Sequence, residues 1–166
     1  EHGPAGGDEI NVHKNILHDS DNILNYGWPI SSYGKHYTSV IQKHKSNNTY
    51  KQLINIAPLY KSHKEFGFEE PIKFFAPESI AISEIEFSNK QFDKNFTNDI
   101  YVGALRNNHT KYAKLYHFKF NKDFDKINYE DEILLKKRIR DLKLYDKNLY
   151  LMLESIPSLG IINKIN

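Results

Sequence analysis

The stretch IRDLKLYDKNLYLML, residues 139–153, holds two short runs of alternating character joined by a turn. In the first run, Leu142 and Leu144 alternate with Asp141 and Lys143, and the run NLYLML follows the turn YDKN. Alternation is typical of a strand with one buried face, because successive side chains of a strand point to opposite faces. The stretch therefore predicts two strands joined by a tight turn.

Similar short runs recur through the second half of the chain. They occupy residues 80–87, 98–105, 111–120 and 160–165. Short strands at regular spacing, joined by tight turns, are typical of all-β sandwiches, barrels and propellers. The sequence has no internal repeat strong enough to choose among these three architectures.

The segment EDEILLKKRIRDLKLY, residues 130–145, favours a different structure. It is rich in good helix formers, with acidic residues first and basic residues later, which suits the helix dipole. Propensity therefore predicts a helix in a region where alternation predicts a strand.

Composition restricts the classes of function. The chain has 166 residues, of which 39% are hydrophobic, so it can form a sizeable core. A formal net charge of +2 does not indicate a nucleic-acid or membrane binder, and no apolar run approaches the ~20 residues of a membrane span. With no cysteine and no zinc-like histidine spacing, the histidines are predicted to be surface or structural. Residues 37–66 are polar and predict a long loop or insertion.

The opening stretch EHGPAGGDEIN, residues 1–11, is rich in glycine. A phosphate-binding loop would run into a helix start, often with a lysine, whereas these glycines run into Asp8 and Glu9. Two acids would repel an anion and suit a cation. Backbone carbonyls and carboxylates are the hard oxygen ligands that calcium takes. The alternative is a surface turn with a solvated pair of acids.

Arg138 and Arg140 form a second candidate site. In a strand their side chains would share one face, about 7 Å apart. Two adjacent guanidinium groups can bind carboxylates or phosphates in a bidentate manner. The alternative is the solvated edge of a stretch rich in Lys and Arg.

Several stretches, in order, resemble the soluble sugar dehydrogenases that use pyrroloquinoline quinone (PQQ), also called the glucose/sorbosone or aldose sugar dehydrogenase family. The matching stretches are EHGPAGGDEIN with NYGWPI, GFEEPIKFFAPESIA, DIYVGAL, and RIRDLKL with NLYLML. The resemblance implies a six-bladed β-propeller, of which residues 1–166 supply roughly two to three blades as the C-terminal part. It also implies a strand over residues 138–145.

The resemblance implies roles for single residues. The carbonyls of Gly3 and Pro4 would bind the calcium ion that polarises the quinone, and His2 would lie beside the cofactor. Arg106, Arg138 and Arg140 would hold the acidic groups of the quinone. Glu9 and the carbonyl of Tyr26 match a second, structural calcium.

The implied reaction is hydride transfer from the anomeric carbon of an aldose to the quinone. The family's catalytic histidine lies upstream of the glycine signature, so we expect no catalytic residue in this chain and no activity from it alone. Ile82-Ser83-Glu84 stands where the family has Pro-Ser-Gly, which leaves the preferred sugar open.

The resemblance further implies a partner and a location. The partner would be the N-terminal half of the same propeller or a second chain, and the location periplasmic or secreted. One alternative is a non-catalytic propeller of the same fold that binds protein or glycan. Another is a β-domain whose loop binds only calcium.

Overall fold

A computed structural model describes residues 1–14, 23–35, 58–95, 98–106, 113–154 and 157–163. The chain divides into two compact units, residues 1–79 and residues 80–166. In the described segments, no helix has the length and apolar character needed to cross a membrane. Most of the predicted insertion, residues 37–57, lies outside the described residues, so that interpretation stays a prediction.

The first unit is built mainly from loops around one short sheet. Strand β1 (Asp8–Ile10) pairs antiparallel with β2 (Lys73–Phe75), and all three residues of β1 are buried. A 3-10 helix spans His63–Phe66. Isolated bridges join Ala5 to Lys35 and Ser31 to Leu59, and so attach further loop segments to the unit.

The second unit contains two antiparallel sheets. The four-stranded sheet has the order β3-β4-β5-β6, and the three-stranded sheet has the order β7-β8-β9. Their bounds are β3 Ile82–Phe87, β4 Asp99–Ala104, β5 Lys114–Phe120, β6 Ile127–Leu134, β7 Ile139–Tyr145, β8 Asn148–Leu153 and β9 Ser158–Asn163. The predicted all-β class is confirmed for the described part of the chain.

The hairpin predicted over residues 139–153 is formed by β7 and β8. Leu142 pairs with Leu151 and Leu144 with Leu149, and all four side chains are buried. The alternation of apolar and polar residues therefore determines which face of the hairpin is buried.

The helix that propensity predicts over residues 130–145 is wrong. Strand β6 ends at Leu134 and β7 begins at Ile139. The helix-forming residues of β6 pair with β5, where Lys114 binds Glu132, while β7 buries its apolar side chains. Sheet pairing and burial outweigh a propensity of a few tenths of a kcal/mol per residue.

The core of the second unit lies between its two sheets. Its buried members are Phe92, Tyr101, Leu115, Ile139, Leu142, Leu144, Leu149 and Leu151. A Cβ on Gly103 would lie 2.9 Å from Cγ2 of Ile139, so glycine lets β4 approach β7 closely. This packing fixes the start of β7, where the arginine pair lies.

The other face of the three-stranded sheet is apolar and exposed. Met152 pairs with Leu159, and Tyr150 pairs with Ile161. Met152, Leu159 and Ile161 are 57%, 64% and 54% exposed. In the described structure these side chains form an open apolar surface, which we call the outer face.

Candidate functional site

Asp8 holds the glycine loop from inside. The Gly3 N–H donates to Asp8 Oδ1 at 2.9 Å, and the Ser79 hydroxyl donates to Asp8 Oδ2 at 2.7 Å. Asp8 is fully buried. Asp8 therefore stabilises the structure of the loop. It is not a solvated surface acid.

The loop is too tightly folded for any residue but glycine at position 3. A Cβ on Gly3 would overlap the backbone of Gly6 and Gly7. Gly7 has a φ of +73°, which a residue with a Cβ adopts at a cost. The Gly7 N–H donates to Phe75 O at 2.7 Å, so β2 holds the far end of the loop. The loop backbone is thereby fixed at both ends.

The carbonyls of Gly3 and Pro4 suit a cation. Both residues are buried. Among the described residues, neither carbonyl accepts a backbone hydrogen bond, whereas the Ala5 carbonyl accepts one from Lys35 at 3.0 Å. Fixed carbonyl oxygens are ligands that calcium takes, so these two residues fit the predicted ion. His2 lies exposed at the start of the loop.

Glu9 contacts a buried histidine. Its Oε1 lies 2.8 Å from Nε2 of His63, and each side chain is 1% exposed. Nδ1 of His63 contacts the hydroxyl of Ser31, which is equally buried. Asn11 Nδ2 lies 3.4 Å from Glu9 Oε2. Both carboxylate oxygens thus face N–H groups of the protein itself.

The Ser31–His63–Glu9 chain has the residue types of a hydrolase triad, but its position makes it structural. All three side chains are buried, and a Cβ on Gly27 would overlap both the His63 ring and the Ser31 hydroxyl. No substrate can reach the hydroxyl through that packing. The surroundings of Glu9 fit an internal hydrogen-bonded pair, and calcium at Glu9 and Tyr26 stays a prediction. Across the described residues, no group of three or more His, Cys, Asp or Glu could hold a metal.

His63 is a buried structural partner of Glu9 that no sequence pattern singled out. It lies within residues 37–66, where the polar composition predicts a surface excursion. The available signal was Glu9, an acid next to the apolar Ile10, since a buried carboxylate needs a hydrogen-bond partner. Nothing in the sequence named His63 as that partner.

Arg138 and Arg140 lie on one side of the hairpin, at one carboxylate. Arg140 Nη2 is 2.7 Å from Glu154 Oε2, and Arg138 Nη1 is 3.4 Å from the same oxygen. Arg138 lies one residue before β7, whereas both arginines were expected within the strand. Both guanidinium groups nevertheless meet at Glu154.

Arg106 lies next to a residue that Arg138 contacts. Arg138 Nε donates to the Leu105 carbonyl at 3.0 Å, and Arg106 follows Leu105 in the chain. The Arg106 N–H donates to Ile80 O at 3.1 Å, which fixes its backbone. The side chains of Arg138 and Arg140 are 47% and 48% exposed, so both can reach a ligand.

Glu154 is the acid of this cluster, and it too was missed from sequence. The hydrogen bond from Arg140, followed by the charges of Arg140 and Arg138, lowers the pKa of Glu154. Two cations and one ionised acid leave a net charge of +1. The hairpin contained a signal for this contact, because the pairing of Ile139 with Leu153 places Glu154 opposite Arg138.

A cleft of the second unit holds a cluster that no sequence pattern predicted. Its lining includes Phe92, Tyr101, His117, Lys119, Tyr129 and Asp131. His117 Nε2 lies 3.0 Å from Asp99 Oδ2, and the Tyr101 ring stacks on His117 with centroids 4.7 Å apart. Burial, aided by the charge of Asp99, raises the pKa of Tyr101 to about 12.

The antiparallel sheets agree with the comparisons to known proteins. The chain belongs to the glucose/sorbosone dehydrogenase family, whose sequence model matches residues 1–158. It is similar to aldose sugar dehydrogenase YliI of Escherichia coli (strain K12), with 27% identity over 145 residues. That match covers 86% of this chain and 31% of the relative.

The fold is also similar to a solved structure. A crystal structure of a glucose dehydrogenase matches all of this chain with a TM-score of 0.67 and 24% identity. The match covers 40% of that protein. This chain thus spans less than half the length of both proteins.

Proposed function

We propose that this chain contributes the cofactor-binding part of a PQQ-dependent sugar dehydrogenase. The proposed whole is a six-bladed β-propeller that oxidises an aldose at its anomeric carbon, with this chain supplying two to three blades. Membership of the glucose/sorbosone dehydrogenase family supports this proposal, as does the similarity to a protein named aldose sugar dehydrogenase.

The observation that carries the proposal is the arginine pair. PQQ carries several carboxylates, which bidentate guanidinium groups recognise. Arg138 and Arg140 lie together, half-exposed, in a cluster of net positive charge. In the proposed function they hold the acidic groups of the quinone, with Arg106 as the third cation.

The glycine loop supplies the second part of the proposal. The carbonyls of Gly3 and Pro4 would hold calcium, and Asp8 keeps the loop in the required shape. When bound, the calcium-polarised quinone supplies the acceptor for the sugar's hydride. The residues of this chain bind and orient the cofactor, with His2 beside it, and the base that takes the sugar's proton belongs to the remainder of the enzyme.

The outer face supports the proposed partner. Contiguous apolar side chains at Met152, Leu159 and Ile161 are unusual on a soluble monomer and mark an interaction surface. We assign this face to the rest of the same propeller rather than to a second copy, since each sheet of a propeller needs neighbouring sheets. Without its neighbouring sheets the isolated chain should self-associate through this uncovered face, which light scattering at micromolar concentration would show. A stable monomer would contradict this assignment. The proposed location is periplasmic or secreted.

A second candidate function is a non-catalytic propeller that binds protein or glycan. The cleft favours it, because aromatic rings such as Tyr129 beside charged groups such as Asp131 and Lys119 can contact a sugar. A sugar that binds at the cleft in the absence of the quinone would support this function.

Reconstitution separates the two functions. The chain is combined with the upstream part of its own protein, PQQ and calcium, and aldose oxidation is followed with an artificial electron acceptor. The dehydrogenase proposal predicts turnover that Arg138→Ala abolishes through loss of cofactor, while Lys147→Ala, in an exposed turn, leaves turnover intact. A complex that binds the quinone yet oxidises no aldose would favour the non-catalytic function.

A further inference from the structure

We propose that Glu154 is a positioning residue that holds the guanidinium groups of Arg138 and Arg140 ready for an acidic ligand. The inference rests on the proposed function, because it concerns how the cofactor's carboxylates are recognised. It is carried by one juxtaposition: a single carboxylate contacts both arginines.

The contacts restrain both guanidinium groups. Arg140 Nη2 lies 2.7 Å from Glu154 Oε2, and Arg138 Nη1 lies 3.4 Å from both oxygens of Glu154. Arg138 is held at a second edge, where its Nε donates to the Leu105 carbonyl at 3.0 Å.

The hairpin fixes the acid itself. The backbone N–H of Glu154 donates to the carbonyl of Arg138 at 2.9 Å. This bond continues the pairing of β7 with β8 beyond Leu153. Arg138 and Glu154 are thus placed opposite each other by the backbone.

The pair needs such a residue for two physical reasons. Guanidinium groups placed side by side repel each other, and the shared carboxylate offsets that repulsion. Long, half-exposed side chains also lose considerable rotamer entropy when a ligand orders them. Glu154 imposes part of that order before the ligand arrives, so the ligand binds a prearranged pair.

Glu154 leaves donors free for the ligand. A guanidinium group carries five N–H donors. Among the described residues, Nη2 of Arg138 and both Nε and Nη1 of Arg140 have no hydrogen-bond partner. A planar carboxylate can therefore bind the pair without displacing Glu154.

One effect opposes this role, because the negative charge of Glu154 also repels an anionic ligand. The cluster is half-exposed, so that repulsion is screened at about 150 mM salt. The hydrogen bonds that order the guanidinium groups act at contact distance, well within the Debye length of about 8 Å, so salt weakens them less. At this salt concentration, positioning is expected to outweigh repulsion.

The test uses the full chain and benzene-1,2,4-tricarboxylate as a probe, titrated by calorimetry at neutral pH. Glu154→Gln should weaken binding about tenfold, since two side chains must then be ordered by the ligand. Glu154→Asp should restore part of the affinity. Asp141→Asn, an exposed change in the same strand, should have no effect.

A second readout follows the arginines directly. The Nε–H signals of Arg138 and Arg140 in NMR spectra should lose order in Glu154→Gln, while the amide signals of β7 and β8 stay in place. Unchanged arginine order, or equal or tighter binding of the tricarboxylate, would overturn the positioning role. If the unaltered chain binds neither the tricarboxylate nor PQQ, the proposed function fails, and arginine order alone decides the role of Glu154.

Discussion

Nε2 of His63 lies 2.8 Å from Oε1 of Glu9, and each side chain is 1% exposed. An ionised carboxylate only accepts hydrogen bonds, so Nε2 donates and Nδ1 faces the Ser31 hydroxyl. This pair joins β1 to a histidine distant in sequence. Glu9, the second acid after the glycines, is therefore part of the core of the first unit.

Removal of the imidazole should destabilise the first unit. His63→Ala leaves the Glu9 carboxylate buried without its donor, at an expected cost of about 3 kcal/mol. Denaturant unfolding followed by the fluorescence of Trp28, the chain's single tryptophan, measures this loss. Lys64→Ala, at an exposed neighbouring position, serves as the control.

Calcium should not alter the effect of His63→Ala, because the pair consists of protein atoms alone. The loss is expected to be equal in calcium and in chelator. If Glu9→Ala costs more in calcium than in chelator, the difference measures metal at Glu9. A loss below about 1 kcal/mol for His63→Ala would mean that the pair contributes little.

Gly3→Ala should disrupt the glycine loop. The new Cβ would overlap the backbone of Gly6 and Gly7, and relief requires a shift that breaks the bond from Gly3 to Asp8. The expected cost is about 2 kcal/mol or more by Trp28 fluorescence. Gly67→Ala, at a φ of +76° with open space, should cost only about 1 kcal/mol. Equal effects at both positions would contradict the tight packing of the loop.

Glu154 should give the second unit a pH-dependent stability. The bond from Arg140, followed by the charges of the two arginines, lowers the pKa of Glu154 below its ordinary value of 4.5. A depressed folded pKa stabilises the fold above pH 4.5 and loses that effect as pH falls through the folded value. The melting temperature of the unaltered chain should exceed that of Glu154→Gln at pH 7, and the gap should close in acid. Asp123→Asn is the control, and a gap that persists in acid would refute the assignment.

Tyr101 should make the second unit sensitive to alkali. Burial, then the charges of Asp99 and Asp93, raise its pKa from 10.0 to about 12. A raised folded pKa means that stability is full below pH 10 and falls as pH rises towards 12, by about 3 kcal/mol in total. Tyr101→Phe should remove this loss of stability at alkaline pH. Tyr145→Phe, at an exposed position, should leave it unchanged. Identical alkaline profiles for both variants would contradict the burial of Tyr101.

The sequence was informative where the physical signal was local. Alternation in residues 139–153 predicted the hairpin that forms, because neighbouring residues decide which face of a strand is buried. The same stretch carried the opposite signal in its helix propensity, and tertiary pairing decided the outcome. The arginine pair was predicted from a spacing of two residues within one strand, whereas Arg138 lies one residue before β7 and the register shifts between Ile139 and Asp141.

The partners of these residues could not be predicted in the same way. His63 meets Glu9 across 54 positions, and Glu154 meets Arg138 across 16. The first contact depends on the placement of distant segments, which composition and periodicity do not encode, whereas the second follows once the register of the hairpin is known. Asp8 was assigned to a cation from its charge, whereas its burial and its bonds to Gly3 and Ser79 appear only in three dimensions.

We propose that this chain binds a polycarboxylate quinone through its arginines and calcium through its glycine loop. The most direct measurement is a titration of the chain with PQQ, followed by the absorption spectrum of the quinone, in calcium and in chelator. We expect at least about tenfold tighter binding in calcium than in chelator, and a loss of binding in Arg138→Ala and Arg140→Ala. Equal affinity in both media, together with arginine variants that bind as the unaltered chain does, would contradict it.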